Sequence, residues 1–216
     1  MTIAISNQKG GVGKSTIAWN LAIALQKNHN IEIVDLDNQK TLTYANEIRK
    51  TGKKTKPLKV ISMETSSELK TYFDNDSDDR ISIIDIGGFD SSMNRMAIIA
   101  ADMIITPVSD KGFDILGIKS YEEVLLQLSK LIKETIVVQV LLNNINPKKS
   151  KLQGLREFLN KSDHFKLMDT VIRNRADYDR SASAGMNAIE YDKKSKAAKE
   201  IKALKREVLD ILKISN

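Results

Sequence analysis

The sequence predicts a doubly wound α/β fold in which a mostly parallel sheet carries helices on both faces. Apolar, β-rich runs alternate along the chain with helical patterns, and repeated strand–helix–strand units of this kind form parallel sheets. Most of the runs are continuously apolar, as expected of strands buried on both faces. We predict seven strands, over Thr2–Ser6, Ile31–Leu36, Leu58–Ser62, Ile81–Ile86, Met103–Pro107, Ile136–Asn143 and Leu167–Ile172. The predicted helices include Ser15–Gln26, Met93–Ala101 and Ser120–Lys133.

Length and composition limit the classes of protein to consider. The chain has 216 residues, enough for a three-layer core, and we predict a single domain over 1–216. It contains no cysteine, which excludes disulfides, iron–sulfur clusters and thiolate zinc sites. No apolar stretch approaches the ~20 residues of a membrane span, and Met1 leads directly into a strand without a signal-peptide pattern. We therefore expect a cytoplasmic location.

The most specific motif is the glycine-rich segment KGGVGKST, which lies between the first predicted strand and the first predicted helix. Glycines in such a turn let backbone N–H groups converge on phosphate oxygens, and the positive end of the following helix adds to the attraction. Lys14 would reach the β- and γ-phosphates, and Ser15 would hold Mg²⁺. The residues predicted to bind nucleotide here are Gly10, Gly11, Val12, Gly13, Lys14, Ser15 and Thr16. The alternative is a glycine turn without a ligand.

The start of this loop departs from the usual spacing. A glycine is expected five residues before Gly13, but that position holds Gln8. An additional lysine, Lys9, stands beside it. A second cation directed at the same polyphosphate suggests that charge is supplied across a dimer interface.

Carboxylates end two of the predicted strands, at the edge of the sheet where ligands bind in folds of this class. Asp85 is placed to hold Mg²⁺, directly or through a water, and Asp35 to support the metal shell. Asp37 lies beyond the end of its strand, where a carboxylate can orient an attacking water. The alternative is that these aspartates only terminate strands as turn formers.

Together these segments resemble the deviant Walker ATPases of the ParA/MinD superfamily, and the ParA (Soj-like) DNA-partition proteins fit best. The resemblance rests on the loop with its additional lysine, on the segments DLDNQ and IDIGG, and on VIRNR and YDKKSKA near the end of the chain. It implies a P-loop NTPase fold of the deviant Walker A type that binds ATP and Mg²⁺. Longer plasmid members add an N-terminal helix-turn-helix domain. This chain begins at its phosphate loop, so we do not expect operator-specific repression.

The resemblance also implies roles for individual residues. Lys9 would be the signature lysine that crosses to the nucleotide of the partner subunit, and Asp37 would position the hydrolytic water. Together with Lys14 they form the expected catalytic set. Two departures concern the switch segments: Asn38 stands where the family usually has proline, and Gly87-Gly88 stands where many members carry prolines. A ParB-type centromere-binding partner is implied by the resemblance only.

Recognition of the base is less clear from the sequence. Asn143 ends a predicted strand where the base-binding loop of the family begins. Arg173 and Asn174 follow the next strand, at the position where relatives enclose the base. We expect these three residues to contact the nucleotide. The alternative is that the asparagines serve as turn formers.

Most of the positive charge lies near the end of the chain. Of the net +6, the stretch 193–213 carries +5, from eight Lys or Arg and three Asp or Glu. At 100° per residue this stretch forms a helix over about 195–213, with a basic face opposite an apolar face that includes Ile211. Such a face neutralises phosphates without reading bases. The predicted DNA contacts are Arg175, Lys196, Lys199, Lys202 and Arg206. The alternative is a solvated basic face without a ligand.

The prediction is thus an ATP-dependent homodimer that hydrolyses ATP and binds DNA without sequence preference, in the cytoplasm and on the nucleoid. One competing class is a membrane-surface switch resembling MinD. It is disfavoured because interfacial helices usually carry Trp or Phe, and residues 193–216 contain no aromatic. A biosynthetic enzyme on the same fold would need its own acid–base set, and we expect His29 and His164 to be surface residues. A non-hydrolysing interaction module is the remaining alternative.

Overall fold

A computed structural model describes residues 1–52, 55–75, 79–109, 112–149, 153–159 and 161–215. The strands in these ranges are β1 (Thr2–Ile5), β2 (Asn30–Asp35), β3 (Lys59–Ser62), β4 (Arg80–Asp85), β5 (Met103–Val108), β6 (Val138–Ile145) and β7 (Phe165–Arg173). The helices are α1 (Lys14–Leu25), α2 (Thr41–Thr51), α3 (Ser66–Asp74), α4 (Ser92–Ile99), α5 (Gly112–Ile132), α6 (Gln153–Leu159), α7 (Ala176–Ser183), α8 (Ala188–Tyr191) and α9 (Lys196–Leu212).

The strands form one sheet in the order β3-β2-β4-β1-β5-β6-β7, and every neighbouring pair is parallel. The predicted fold class is confirmed, and each of the seven predicted strands is present. Strand β1 lies at the centre, between β4 and β5, at the point where the chain changes its direction of winding. Ligands bind at such a point, outside the carboxyl ends of the strands. The loops that follow β1, β2 and β4 meet there.

Two layers of helices cover the sheet. Helices α1, α2, α7, α8 and α9 contribute to the core on one face, and α3, α4, α5 and α6 to the core on the other. The alternation along β1 shows both faces: Ile3 and Ile5 lie in the first core, and Ala4 in the second. Helix α1 is buried at ten of its twelve positions because it packs between the sheet and α9. A helix that is apolar all round has to be covered in this way.

Helix α9 has one covered face and one exposed face. The Ser195 side chain caps its first turn by accepting a hydrogen bond from the Ala198 N–H at 3.0 Å. Its apolar face packs on α1, α8 and β7. The residues buried on this face are Ala197, Ala198, Ile201, Leu204, Val208 and Leu209. Ile211 was expected in the apolar face and is instead 38% exposed, while Leu209 takes the buried position.

The two histidines differ from each other. His29 is half-buried, and burial, followed by the nearby Lys205, lowers its pKa. His164 was expected at the surface, and this prediction is wrong. Its side chain is buried, and Nδ1 lies 2.7 Å from the Ile136 carbonyl oxygen, at the edge of the sheet where β6 begins. The phosphate loop follows the carboxyl end of β1, whereas both histidines directly precede strands, at the opposite end of the parallel sheet. Neither histidine therefore belongs to the site described next.

Candidate functional site

The phosphate loop leaves β1 and ends at the first turn of α1. Gly11 and Gly13 have φ of 73° and 93°, a backbone conformation that side chains with a Cβ rarely adopt. Gly11 and Gly13 are therefore required by the path of the loop as well as by access of phosphate to the backbone. Within the phosphate loop, Lys14 Nζ donates a hydrogen bond to the Lys9 carbonyl oxygen at 3.1 Å. Burial lowers the pKa of Lys14, while Asp85 and Asp37 act in the opposite direction.

Two asparagines hold the loop in place. Asn7 is buried; its Oδ1 accepts from the Lys9 N–H at 2.9 Å, and its Nδ2 donates to the Pro107 carbonyl oxygen at 3.0 Å. Asn143 Nδ2 donates to the Val12 carbonyl oxygen at 2.7 Å. A Cβ at Gly13 would overlap that same nitrogen, so a larger residue there would displace the Asn143 side chain from this bond. The positioning role of Asn7 was missed from sequence, because an asparagine before the motif has no spacing rule of its own.

The predicted carboxylates lie at the ends of adjacent strands, where Asp35 and Asp85 are partners in the β2–β4 register. Asp85 is buried, and neither of its carboxylate oxygens has a hydrogen-bond partner among the described residues. Burial raises its pKa to about 7; the nearby Ser15 hydroxyl and Lys14 oppose this, and the negative charges of Asp35 and Asp37 add to it. The Asp85 carboxylate thus lies beside the phosphate loop, where the Ser15 hydroxyl and the Lys14 ammonium are the nearby groups that favour its charged form.

Asp35 has the opposite surroundings. Its Oδ2 accepts from the Thr43 N–H at 3.1 Å and from the Thr43 hydroxyl at 3.0 Å, and its Oδ1 accepts from the Asp37 N–H at 3.3 Å. These bonds join the end of β2 to the first turn of α2. The expectation that Asp35 supports a metal shell stays a prediction; its oxygens accept three hydrogen bonds that shape the Asp37 turn.

The oxygens around Asp85 fit a Mg²⁺ ion that is held partly by phosphate. Mg²⁺ in nucleotide sites takes one or two protein oxygens and completes its shell with water and phosphate. Asp85 and the Ser15 hydroxyl supply such a set, and the two unpartnered carboxylate oxygens are what a cation would satisfy. Throughout the ranges that the structure describes, no group of three or more His, Cys, Asp or Glu residues could hold a metal without such help.

Two cavities meet at the phosphate loop and share Gly11, Gly13 and Thr16. The phosphate-side cavity measures about 560 Å³. Its lining residues are Gly10, Gly11, Gly13, Lys14, Ser15, Thr16, Asp37, Asn38, Gln39, Gly88 and Phe89. The base-side cavity measures about 280 Å³. Its lining residues are Gly11, Val12, Gly13, Thr16, Asn143, Asn144, Arg173, Asn174, Arg175, Tyr178 and Asp179. The residues predicted to bind phosphate, to position water and to contact the base therefore line two adjoining cavities.

In the phosphate-side cavity, two short segments face the loop. Asp37 is half-buried, and its Oδ1 accepts from the Gln39 N–H at 2.9 Å. A Cβ at Gly87 would lie 3.7 Å from Asp37 Cα, so the segments after β2 and β4 pack against each other. A Cβ at Gly88 would lie 3.3 Å from the Gly10 nitrogen and 3.5 Å from Lys14 Nζ. Gly88 thus lets the second segment approach the place where a terminal phosphate would lie.

In the base-side cavity, the loops after β6 and β7 are tied together. Asn174 Nδ2 donates to Asn144 Oδ1 at 2.6 Å, and Arg173 Nη1 donates to the Asn146 and Lys149 carbonyl oxygens at 3.1 and 2.6 Å. Tyr178 and Asp179 of α7 also line this cavity and were missed from sequence. Their only signal was the position shortly after the predicted base-binding segment, in a helix that was not predicted.

The basic face of α9 consists of Lys196, Lys199, Lys202 and Arg206, all exposed. The acidic residues of the helix that are nearest in sequence to this face are directed elsewhere. Glu207 accepts from the Asp169 and Thr170 N–H groups of β7, and Glu200 accepts from the Arg173 N–H. The positive charge of the face is therefore not cancelled by these two glutamates. None of the helices formed by the described residues is both long and apolar enough to cross a membrane.

Arg175 does not belong to this basic face. Its Nε and Nη2 donate to Glu200 Oε1 at 2.8 and 2.7 Å, and its side chain lies in the wall of the base-side cavity. The prediction that grouped it with the α9 cations as a DNA contact is corrected, because Glu200 draws its charge toward the nucleotide side. Lys9, at the start of the phosphate loop, is half-buried and lies beside α5. A Cβ built at Gly117 of that helix would be 3.9 Å from both the Cβ and the Cδ of Lys9.

Comparison with known proteins gives relatives that include partition proteins and MinD proteins. The ParA protein of Rhizobium radiobacter is 32% identical over 115 residues, which are 52% of this chain and 50% of that protein, so the match spans half the length of this relative. A plasmid partition protein from Borrelia burgdorferi B31 bound to AMPPNP has a TM-score of 0.69 at 18% identity, over 97% of this chain and 98% of that chain. MinD from Pyrococcus horikoshii OT3, complexed with Mg-ADP, has a TM-score of 0.70 at 18% identity, over 98% of both chains.

At these identities the structural likeness shows the fold. The family is shown by a sequence model described as the CobQ/CobB/MinD/ParA nucleotide binding domain, which matches residues 3–189. This match includes the phosphate loop, the carboxylates that follow β2 and β4, and the base-side loops. The chain belongs to the CobQ/CobB/MinD/ParA family of nucleotide-binding domains.

Proposed function

We propose that the chain is a Mg²⁺-dependent ATPase of the ParA type that partitions DNA. The observation that carries the proposal is the buried Asp85 carboxylate beside Ser15 and Lys14, two residues that line the phosphate-side cavity. A carboxylate left in this state needs a cation, and a phosphate loop supplies the remaining oxygens once nucleotide is bound. The AMPPNP and Mg-ADP in the two structural neighbours agree with this ligand pair.

In this proposal, the loop amides and Lys14 hold the phosphates, and Asp85 with Ser15 holds Mg²⁺. When bound, the ion neutralises charge that develops on the phosphate oxygens during transfer. Asp37 lies in the wall of the same cavity and orients the attacking water. The segment Gly87–Gly88 lies close enough to the loop to respond to the presence of a terminal phosphate.

ATP brings two subunits face to face, and each Lys9 neutralises charge at the site of the other. The additional lysine at the start of the loop supports this role, together with the partition and MinD proteins among the relatives. In Lys9→Ala, we expect monomer binding of nucleotide to remain. Sedimentation with a non-hydrolysable ATP analogue should then show no dimer, whereas a dimer would exclude the cross-subunit role.

The dimer binds DNA through two copies of the α9 basic face. Four exposed cations on one helical face contact phosphates without reading bases, and two linked faces gain affinity from effective concentration. Hydrolysis removes the phosphate that stabilises the dimer and so releases DNA. A ParB-type centromere-binding protein would accelerate this step; that partner is proposed from the resemblance and from the ParA relative.

The second candidate is a membrane-surface switch, since a MinD protein is among the structural neighbours. The packing of α9 disfavours it. Ile201, Leu204 and Val208 are 0% exposed, and each contributes roughly 1.5–3 kcal/mol by its burial in the core. Insertion of this face into lipid would remove these side chains from the protein. Of the two faces, the basic face is the one exposed to a partner, which favours a polyanion such as DNA.

One experiment separates the two candidates. Co-sedimentation with plasmid DNA and with anionic vesicles is measured in ATP analogue and in ADP, for wild type and for a variant with Lys199, Lys202 and Arg206 changed to Glu. We expect ATP-dependent binding of wild type to DNA that the triple variant loses while its basal ATP hydrolysis survives. Each single Lys→Ala change should flatten the log-affinity against log-salt slope by about one unit for each lost phosphate contact. A triple variant that keeps DNA binding and loses vesicle binding would overturn the DNA proposal.

A further inference from the structure

Glu200 stands between the base-side cavity and the α9 basic face. Its Oε1 accepts from Arg175 Nε and Nη2 at 2.8 and 2.7 Å, and its Oε2 accepts from the Tyr178 hydroxyl at 2.8 Å and the Arg173 N–H at 3.1 Å. All three partners line the base-side cavity. Both carboxylate oxygens are thus occupied by groups of the cavity wall.

On the helix itself, Glu200 is adjacent to the proposed DNA contacts. Lys199 precedes it directly, and Lys196 lies one turn earlier, so a displacement of Glu200 moves the part of α9 that carries both lysines. The Arg175–Glu200 pair is mostly shielded, with side-chain exposures of 19% and 14%, and it is geometrically well defined because two guanidinium nitrogens reach one oxygen. A shielded and multiply bonded pair transmits a shift of one partner to the other.

We propose that Glu200 is a positioning residue that couples occupation of the base-side cavity to the α9 basic face. A nucleotide whose base or ribose contacts Arg175 or Tyr178 changes the position of these donors, and Glu200 follows them. The bound nucleotide thereby sets where Lys196 and Lys199 stand. The coupling to DNA rests on the proposed function, whereas the coupling of the cavity to α9 does not depend on it.

The chain contains a matched control on the same helix. Glu207 also uses both carboxylate oxygens on the neighbouring strand, accepting from the Asp169 N–H at 2.6 Å and the Thr170 N–H at 2.9 Å. Neither of these two described hydrogen bonds joins it to a residue of the base-side cavity wall. Glu200→Gln and Glu207→Gln remove the same charge from the same helix and weaken the same kind of anchor to β7. Only the first change interrupts the connection to the cavity.

The test compares wild type, Glu200→Gln and Glu207→Gln. DNA affinity is measured with and without a non-hydrolysable ATP analogue, and sedimentation confirms that the variants still dimerise with it. We expect the ratio of the two affinities to fall at least fivefold in Glu200→Gln and to change less than twofold in Glu207→Gln. Because coupling is reciprocal, the effect of DNA on analogue affinity should fall by the same factor. Equal ratios in all three proteins, or equal losses in both variants, would overturn the proposal.

A second measurement needs no DNA. Amide hydrogen exchange at Arg173 and over residues 196–204 is followed on addition of the ATP analogue. We expect a change in wild type and in Glu207→Gln that is absent in Glu200→Gln. If wild type fails to bind DNA in every nucleotide state, the proposed function fails, while this exchange pattern still decides the role of Glu200. Should Glu200→Gln not fold, Tyr178→Phe removes one donor to the same carboxylate, and a smaller reduction in coupling is expected; full coupling in that variant would count against the link.

Discussion

Asp35 and Asp85 are the same residue type at the ends of adjacent parallel strands, and they have opposite surroundings. Asp35 accepts three hydrogen bonds from Asp37 and Thr43, whereas both oxygens of Asp85 are buried without a partner among the described residues. The Asp35 carboxylate therefore fixes the local backbone, whereas the Asp85 carboxylate keeps its oxygens available for a ligand. The position of a carboxylate at the end of a strand therefore does not determine its role. Its role depends on whether nearby N–H groups donate hydrogen bonds to it, because a carboxylate that accepts them stabilises the fold and one that does not can bind a ligand.

The largest expected effect concerns Asp85→Asn. We expect Mg²⁺-dependent ATP hydrolysis to fall by about a hundredfold or more, because the carboxylate that would hold the ion is lost. We expect the urea midpoint of the nucleotide-free protein to be no lower than that of wild type, since a buried charge without a partner destabilises the fold. Phosphate release and urea unfolding measure the two effects. Hydrolysis within a factor of two of wild type would show that Asp85 is not the metal residue.

The variant Asp37→Ala tests the third carboxylate, whose role we expect to differ from the roles of both Asp35 and Asp85. Its side chain lies in the cavity wall and bonds only the local Gln39 N–H among the described hydrogen bonds, so its loss leaves the hydrogen bonds of the phosphate loop in place. We expect ATP binding and dimerisation to persist while turnover falls roughly hundredfold, the lower end of the range for a lost general base. Single-turnover hydrolysis and fluorescent-nucleotide titration measure the two properties. A turnover change of less than about twofold would exclude water positioning as its role.

The smallest expected effect on catalysis, and the largest on the fold, belongs to Asp35→Asn. An amide cannot accept from all of the Thr43 and Asp37 donors, so at least one of these partly buried N–H groups loses its partner. We expect unfolding free energy to fall by about 1–3 kcal/mol in urea titrations of the nucleotide-free protein. The residual activity should be closer to wild type than that of Asp85→Asn. The reverse order of activities would show that Asp35, and not Asp85, is the residue that the metal needs.

Much of the fold and of the candidate site could be predicted, because both depend on patterns of residue types over short stretches of the chain. Continuous apolar runs predicted all seven strands, and the glycine spacing predicted the loop whose Gly11 and Gly13 adopt positive φ. Errors came where a residue depends on a distant partner. Ile211 and His164 were assigned to the wrong environments, since burial is set by what packs on a position from elsewhere in the chain. Arg175 was grouped with the cations of α9, and its guanidinium instead pairs with Glu200 of that same helix.

By itself the sequence determined the seven strands, the phosphate loop and the excess of positive charge in the last helix, because these follow from local periodicity and from residue types at fixed spacing. Tertiary structure decided which carboxylate is unpartnered, which glutamates of α9 face β7, and that Glu200 joins a helix with a basic face to the wall of the base-side cavity. Hydrogen bonds between elements distant in sequence depend on how the sheet brings them together. The physical reason is that a donor's partner is set by proximity in space, which the spacing along the chain does not encode.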